Sequence, residues 1–246
     1  MEDHAKDELP AHDGASGSTF DGTRNARGER DGSGVWSHAD GRSYDGEWLD
    51  GRRHGKGRMR YSDGTVYSGS YTHGLRDGHG HLSNASGFTY EGEWREGKMS
   101  GKGRMSSSHG QHGQASYEGT FADGKLSGLG RMDFTLEDEA SHYEGEWRHG
   151  LREGRGSCRS MGSGLTYSGE WRADLRHGHG TLTTAEGKVI YRGEWRDGRQ
   201  VSWNFHRVRQ FAGWYIARVV CPACGVAVLV SAVALVAAVL LAAPPT

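Results

Sequence analysis

Several residues in this chain have types and spacings that could do chemistry. His79-Gly80-His81 would set two imidazoles on one face of a strand, the beginning of a metal site. No further ligands complete the set, and Lys102 and Arg104 occupy the same places one period later, so the pair reads as a solvated repeat position and no metal is expected. The Gly-x-Gly pairs beginning at Gly55, Gly78, Gly101, Gly128, Gly154 and Gly178 have the outline of phosphate-cradling loops. They lack the third glycine before a helix, so neither a nucleotide nor any other cofactor is expected. Cys221-Pro222-Ala223-Cys224 has redox spacing without a βαβ setting and zinc spacing without further ligands. The many glutamates recur with the repeat, and no nucleophile–base pair or paired-carboxylate site can be isolated from them. No catalytic residue emerges, and the chain is not expected to be an enzyme.

The elements that carry these residues form an internal repeat. Its first signature is aromatic-x-Gly-x-aromatic: Tyr44-Asp45-Gly46-Glu47-Trp48, then copies starting at Tyr67, Tyr90, Tyr117, Tyr143, Tyr167 and Tyr191. The starts are 23, 23, 27, 26, 24 and 24 residues apart, and the Gly-x-Gly follows the starting tyrosine by 11 residues in all but the last copy. Phe20-Asp21-Gly22 with Gly32-Ser33-Gly34 reads as a decayed earlier copy. Constant spacing within a copy and variable spacing between copies describe one unit joined by loops of different length.

The unit reads as a β-hairpin. Side chains alternate along a strand, so Tyr44, Gly46 and Trp48 share one face, and Gly55, Gly57 and Met59 share a face of the second strand. Glycines opposite the rings would make room for them. Tyr90, Gly92, Trp94, Gly101 and Gly103 repeat this framework, as do Tyr143, Gly145, Trp147, then Tyr167, Gly169, Trp171, then Tyr191, Gly193, Trp195. An apolar site four residues after the first glycine holds Met59, Leu82, Met105, Met132, Cys158 and Leu182, which makes Cys158 a small core residue. Asp50-Gly51, Asp63-Gly64, Asp123-Gly124 and Asp197-Gly198 supply turns with φ > 0. The other face would carry Glu47, Glu91, Glu93, Glu144 and Glu170 against Lys56, Arg58, Lys102, Arg104 and Arg155 on neighbouring strands. A lone hairpin is marginal, so the copies must stack edge to edge. The expected fold is all-β: an elongated single-layer antiparallel sheet, rising about 10 Å per hairpin or about 70 Å for seven copies, plus one C-terminal transmembrane α-helix.

Composition fits this reading. Glycine contributes 41 of 246 residues and aliphatics are few, which alone leans toward disorder, but the net charge is only −1 and there are eight Trp and ten Tyr. Residues 20–200 hold 26 basic and 26 acidic side chains, so nucleic acid is not an expected partner.

Val219–Ala243 has no charge and is long enough for a bilayer core of about 30 Å. The acidic start has no apolar run of the secretory kind. Arg207, Arg209 and Arg218 lie on the N-terminal side of the span, which places residues 1–218 in the cytosol. Trp203–Tyr215 fits either a short amphipathic helix at the membrane interface or an irregular linker. Cys221 and Cys224 at the boundary are candidates for S-palmitoylation, or two small apolar residues opening the span. The expected organisation is a disordered acidic tail at 1–19, the array at 20–200, a juxtamembrane amphipathic linker at 201–218 and the span at 219–243.

Tyr-x-Gly-Glu-Trp, a linker with Asp-Gly and then Gly-x-Gly, at about 23 residues, resembles the MORN (membrane occupation and recognition nexus) repeat over about residues 20–200. The copies at Tyr67 and Tyr117 lack Trp, and the lengthened stretches Met105–Ser116 and Met132–His142 are expected to loop out of the sheet. The resemblance implies membrane organisation, lipid contact or cytoskeletal assembly. Junctophilins are similar in placing MORN copies before a C-terminal anchor, although this chain lacks their long intervening segment. The expectation is a non-enzymatic membrane-anchored scaffold or tether, in contact with membrane lipid through its C-terminal helix and with unidentified cytosolic proteins through its repeats. Its membrane would be the endoplasmic reticulum or outer mitochondrial membrane rather than the plasma membrane. The alternative is a phosphoinositide or acidic-phospholipid binding module, or the targeting subunit of a lipid kinase.

Overall fold

The computed structural model describes residues 17–108, 114–136 and 139–201, excepting the side chains of 136, 139 and 140. Every regular element in them is a strand. The first eight are β1 (Ser18–Arg24), β2 (Arg30–His38), β3 (Ser43–Leu49), β4 (Arg52–Arg60), β5 (Val66–Thr72), β6 (Leu75–Ser83), β7 (Thr89–Arg95) and β8 (Lys98–Ser108). Then come β9 (Gln114–Ala122), β10 (Lys125–Leu136), β11 (Glu139–Arg148), β12 (Leu151–Ser160), β13 (Thr166–Arg172), β14 (Leu175–Thr183), β15 (Val189–Arg196) and β16 (Arg199–Gln200). They hydrogen-bond in chain order as one open antiparallel sheet. The proposed span at 219–243, the linker beyond Val201 and most of the acidic tail lie outside the described residues.

Contacts divide the chain into two compact units, Met1–Ser106 with Phe121–Gly124 and Ser107–Thr120 with Lys125–Thr246. In the first, the register aligns Gly22 with Gly34, Gly34 with Gly46, Gly46 with Gly57, Gly57 with Gly69, Gly69 with Gly80, Gly80 with Gly92 and Gly92 with Gly103. In the second, Gly130, Gly145, Gly156, Gly169, Gly180 and Gly193 align in the same way. Glycine therefore runs straight across each unit, one per strand, on a single face. The decayed copy at Phe20 is a full hairpin whose glycines join this row.

On that row lie the tyrosines. A Cβ on Gly57 would collide with the ring and hydroxyl of Tyr44, and one on Gly80, Gly130 or Gly156 would collide with Tyr67, Tyr117 or Tyr143. Each tyrosine hydroxyl donates to the carbonyl three residues on, Tyr44 to Glu47 at 3.0 Å and Tyr90 to Glu93 at 2.9 Å. The ring is thus pinned flat against backbone, and Tyr44, Tyr67, Tyr90, Tyr117, Tyr143 and Tyr167 are all buried although the sheet has a single layer.

The first glycine of each Gly-x-Gly does a different job from the expected one. Gly55 has φ +55° at a bulge, and its missing Cβ leaves space for the Glu47 carboxylate rather than for a ring. Glu47 Oε1 accepts the Lys56 backbone N–H at 2.8 Å, and Glu93 with Lys102, Glu146 with Arg155 and Glu170 with His179 repeat the bond. A carboxylate can reach back this way only where no side chain stands between.

The lengthened copies also differ from expectation. β8 continues to Ser108, and the β10–β11 ladder runs on to Leu136 opposite Glu139. In β10 and β11 the extra residues lengthen strands instead of looping out, because residues 133–136 each gain a cross-strand partner among residues 139–142. Residues 109–113 and 137–138 lie outside the description.

Gly57→Ala keeps an ordinary φ but drives a methyl into Tyr44. It is expected to destabilise the protein by about 1–3 kcal/mol in denaturant unfolding. Gly74→Asn, at a turn with φ +89° and open space around it, is expected to change stability by well under about 1 kcal/mol.

Candidate functional site

The framework residues singled out from the sequence come together as one stack in each unit. In the first, Tyr44 meets Trp48 and Tyr71, Tyr67 meets Tyr71 and Trp94, and Tyr90 meets Trp94 and Phe121, all edge to face with centroids 5.0–5.3 Å apart. In the second, Tyr143 meets Trp147 and Trp171, and Tyr167 meets Trp171 and Trp195. Each ring touches its own hairpin and the next, and such pairs add about 0.5–1.5 kcal/mol beyond burial. Tyr71 and Phe121 take the Trp place in the copies that lack it. The framework tryptophans also donate their indole N–H to a glycine carbonyl of the preceding copy: Trp48 to Gly34 at 3.0 Å, Trp94 to Gly80 at 3.2 Å, Trp171 to Gly156 at 3.0 Å.

A second set of residues was not singled out from the sequence. Nine residues after the tyrosine of the first six clear copies stand Arg53, Arg76, Met99, Leu126, Arg152 and Arg176. These arginines lie on the aromatic face, not among the outward charges. Arg53, Arg76 and Arg152 are buried, and Arg152 stacks 4.2 Å from the Trp171 ring centre, Arg76 4.5 Å from Trp94. Their guanidinium groups reach the next hairpin's turn: Arg53 Nη2 donates to the Gly74 carbonyl at 2.8 Å, and Arg176 Nη2 to Gly198 at 3.1 Å. The turn answers, because Gly74 N–H donates to the Arg53 carbonyl at 2.8 Å. The recurring phase was the available signal; ordinary expectation places arginine at the surface.

One copy closes this clamp with an ion pair. The Ala173-Asp174 turn has both φ positive, and Asp174 replaces the glycine found at Gly51, Gly74, Gly97, Gly124, Gly150 and Gly198. Its Oδ1 accepts Arg152 Nε at 3.1 Å and the Arg152 backbone N–H at 2.9 Å, with both side chains almost wholly buried. Arg152 Nη1 also approaches Cys158 Sγ at 4.0 Å. Burial pushes the Cys158 thiol up, which disfavours the reactive thiolate.

The outward face carries charged side chains on neighbouring strands. Its register sets opposite charges against each other: Asp45 opposite Arg58, Glu91 opposite Arg104, Arg131 opposite Glu144 and Arg155 opposite Glu170. His81 faces Glu91, His79 faces Glu93 and His179 faces Glu194. Leu129 departs from this pattern, 71% exposed at a site where other copies carry Lys56, His79, Lys102, Arg155 and His179. Among the described residues, no three His, Cys, Asp or Glu side chains converge as a metal site. Also among them, no helix is long and apolar enough to cross a membrane. Arg207, Arg209, Arg218, Cys221 and Cys224 lie outside the described residues.

The family model of the MORN repeat matches residues 26–41, 44–66, 67–89, 90–114, 117–135, 143–163, 167–189 and 191–201, well over half of the chain. No curated protein matches the chain.

Two outcomes test this packing. Arg152→Met alone strands a buried carboxylate and is expected to cost about 3–5 kcal/mol. Arg152→Met with Asp174→Gly recreates the Met99–Gly124 arrangement and is expected to fall within about 1 kcal/mol of the native chain; a double-mutant cycle measures both. Burial also raises the tyrosine hydroxyls, Tyr44, Tyr90, Tyr117 and Tyr143 far up and Tyr167 to about 12. The contribution is whole below the unfolded value of about 10 and is lost as pH climbs through the folded values, since the unfolded chain ionises first. Absorbance titration should therefore show tyrosines ionising together with unfolding above about pH 10.

Proposed function

Because this chain belongs to the MORN repeat family, whose members are generally non-enzymatic scaffolds or membrane-binding modules, we propose that it is a membrane-anchored scaffold working through its repeats. The observation that carries the reading is how the array spends its residues. Tyrosine, tryptophan, glycine and the in-phase arginines are all consumed in holding hairpins together. What remains for partners is an extended outward face of alternating charge. Such a face suits broad, register-dependent protein contacts of modest strength per residue. Val219–Ala243 supplies the anchor, and Arg207, Arg209 and Arg218 put the repeats on the cytosolic side. Its short, Ala- and Val-rich character fits the endoplasmic reticulum or outer mitochondrial membrane.

Lipid binding by the repeats themselves finds less support. Anionic membranes attract clustered Lys and Arg, and here the register sets basic residues opposite acidic ones.

In cells, the full chain should colocalise with one internal membrane, and a version ending at Arg218 should become diffuse. Identical distributions would remove the anchor from the account. The version ending at Arg218 should sediment no better with anionic than with neutral vesicles; a clear anionic preference would favour the lipid-binding reading instead.

A further inference from the structure

The outward face has an interval that departs from its alternation of charge. Six of the seven clear copies bring at least one carboxylate to the outward positions of their first strand, as Asp45 and Glu47 do on β3 and Glu91 and Glu93 on β7. The copy at Tyr67 brings Ser68 and Ser70 instead. The strand before it, β4, carries Lys56, Arg58 and Arg60 outward, and the strand after it, β6, carries His79 and His81; all five are exposed. The register sets Lys56 opposite Ser70 and Arg58 opposite Ser68, with His81 on the other side of Ser68. Although Asp45 lies across from Arg58, neither Arg58 nor Arg60 forms an ion pair among the described residues. The acids that fall within β4–β6 and its turns are engaged by backbone: Asp77 Oδ2 accepts the Glu96 N–H at 3.1 Å, and Asp63 Oδ1 the Thr65 N–H at 2.8 Å. The three strands thus form a strip of cations and hydroxyls between acidic walls on β3 and β7, all within the first unit.

At one point the strip offers a seat that the fold fills elsewhere with a carboxylate. Glu47, Glu93, Glu146 and Glu170, three residues after their tyrosines, each accept the backbone N–H that follows the bulge glycine. In the Tyr67 copy that place belongs to Ser70, and the matching N–H is that of His79. Among the described residues no side chain accepts it. Gly78 is still a glycine with positive φ, +94°. Lys56 Nζ reaches over from β4 and donates to Ser70 Oγ at 2.8 Å. The seat therefore holds an ammonium and a hydroxyl and has no acid of its own. We propose that the β4–β6 strip docks an acidic peptide segment of a partner protein, with one of its carboxylates seated at Ser70 beside Lys56. Alternate side chains of an extended peptide share a face about 7 Å apart, the interval at which Lys56, Arg58 and Arg60 recur along β4. A segment with an acid at every second position meets the strip in phase. An anionic membrane suits it less well. The walls on β3 and β7 stand about 19 Å apart, room for one extended chain, whereas a flat surface would also press on Asp45, Glu47, Glu91 and Glu93.

The proposal rests on the scaffold reading and names the chemistry of its partner. Where charges answer one another across strands, a charged partner gains little. Over β4–β6 the attraction is not answered within the strip, so it can steer a partner and fix its register. Anchoring is read from the distribution of the full chain in cells and docking from peptide binding in solution, so either can fail alone.

Fluorescence anisotropy with the purified full chain in mild non-ionic detergent tests the docking. The probe is a labelled peptide of about ten residues alternating Glu and Ser, compared with the same peptide carrying Gln for Glu. The native chain should bind the Glu peptide at least about tenfold more tightly than the Gln peptide. Lys56→Gln/Arg58→Gln should weaken binding of the Glu peptide about tenfold, and so should Ser70→Glu, which restores the carboxylate that other copies carry and so keeps the fold. Lys102→Gln/Arg104→Gln removes the same charge from β8, beside the acids of β7, and should change binding by no more than about twofold. Equal affinity for the two peptides overturns the proposal. So does an equal loss in the β8 variant, or a Ser70→Glu chain that binds as the native one does. Binding of the native chain to phosphatidylserine vesicles over neutral ones, abolished by Lys56→Gln/Arg58→Gln, would assign the strip to a membrane and overturn it as well.

Discussion

The structure depends on a tyrosine ring lying flat on two glycines. A single-layer sheet has no opposing layer to bury side chains against, so it must bury them against its own backbone. That is possible only where facing strands both lack a Cβ. The Gly46–Gly57 pair beneath Tyr44, and the glycines in register with it across the first unit, provide such a strip. The glycine content that suggests a loose chain is what permits dense packing.

The rest of the architecture follows from where the ring is pinned. With the tyrosine fixed, its edge faces the aromatic residue of the next hairpin, and that residue's indole reaches back to the glycine carbonyl beneath. The arginine or methionine nine residues on covers the joint, and its backbone carbonyl holds the following turn. Stability is then carried mainly at junctions between neighbours, as in other linear repeats. The Arg152–Asp174 pair shows that one junction tolerates different chemistry if both partners change together.

Much of this was legible in the sequence. Alternation and constant spacing gave the hairpin, the shared face of Tyr, Gly and Trp, and the pairing of outward charges, because each depends only on the period of a strand. What was hidden depends on local departures from that period. A bulge at Gly46–Glu47 turns the first glycine of Gly-x-Gly away from the rings and toward a glutamate. Buried arginines look like surface charge in a sequence, since their recurring phase alone does not reveal the indole face and the turn carbonyl that await Arg152. The lengthened copies read as loops because an extra residue and an extra rung look alike until the register is known.

In the proposed function, framework and surface are kept apart: one face is spent on cohesion, and the other is offered to partners. The claim beneath that division is the seating of tyrosine on glycine. The most direct measurement is the proton spectrum of glycine Hα atoms in the folded chain with isotope-labelled glycine. The account predicts that Gly57, Gly80, Gly130, Gly156 and Gly180, lying under tyrosine rings, are shifted well upfield by ring currents, while the turn glycines Gly74 and Gly124 are not. Ordinary shifts at the first five would contradict it.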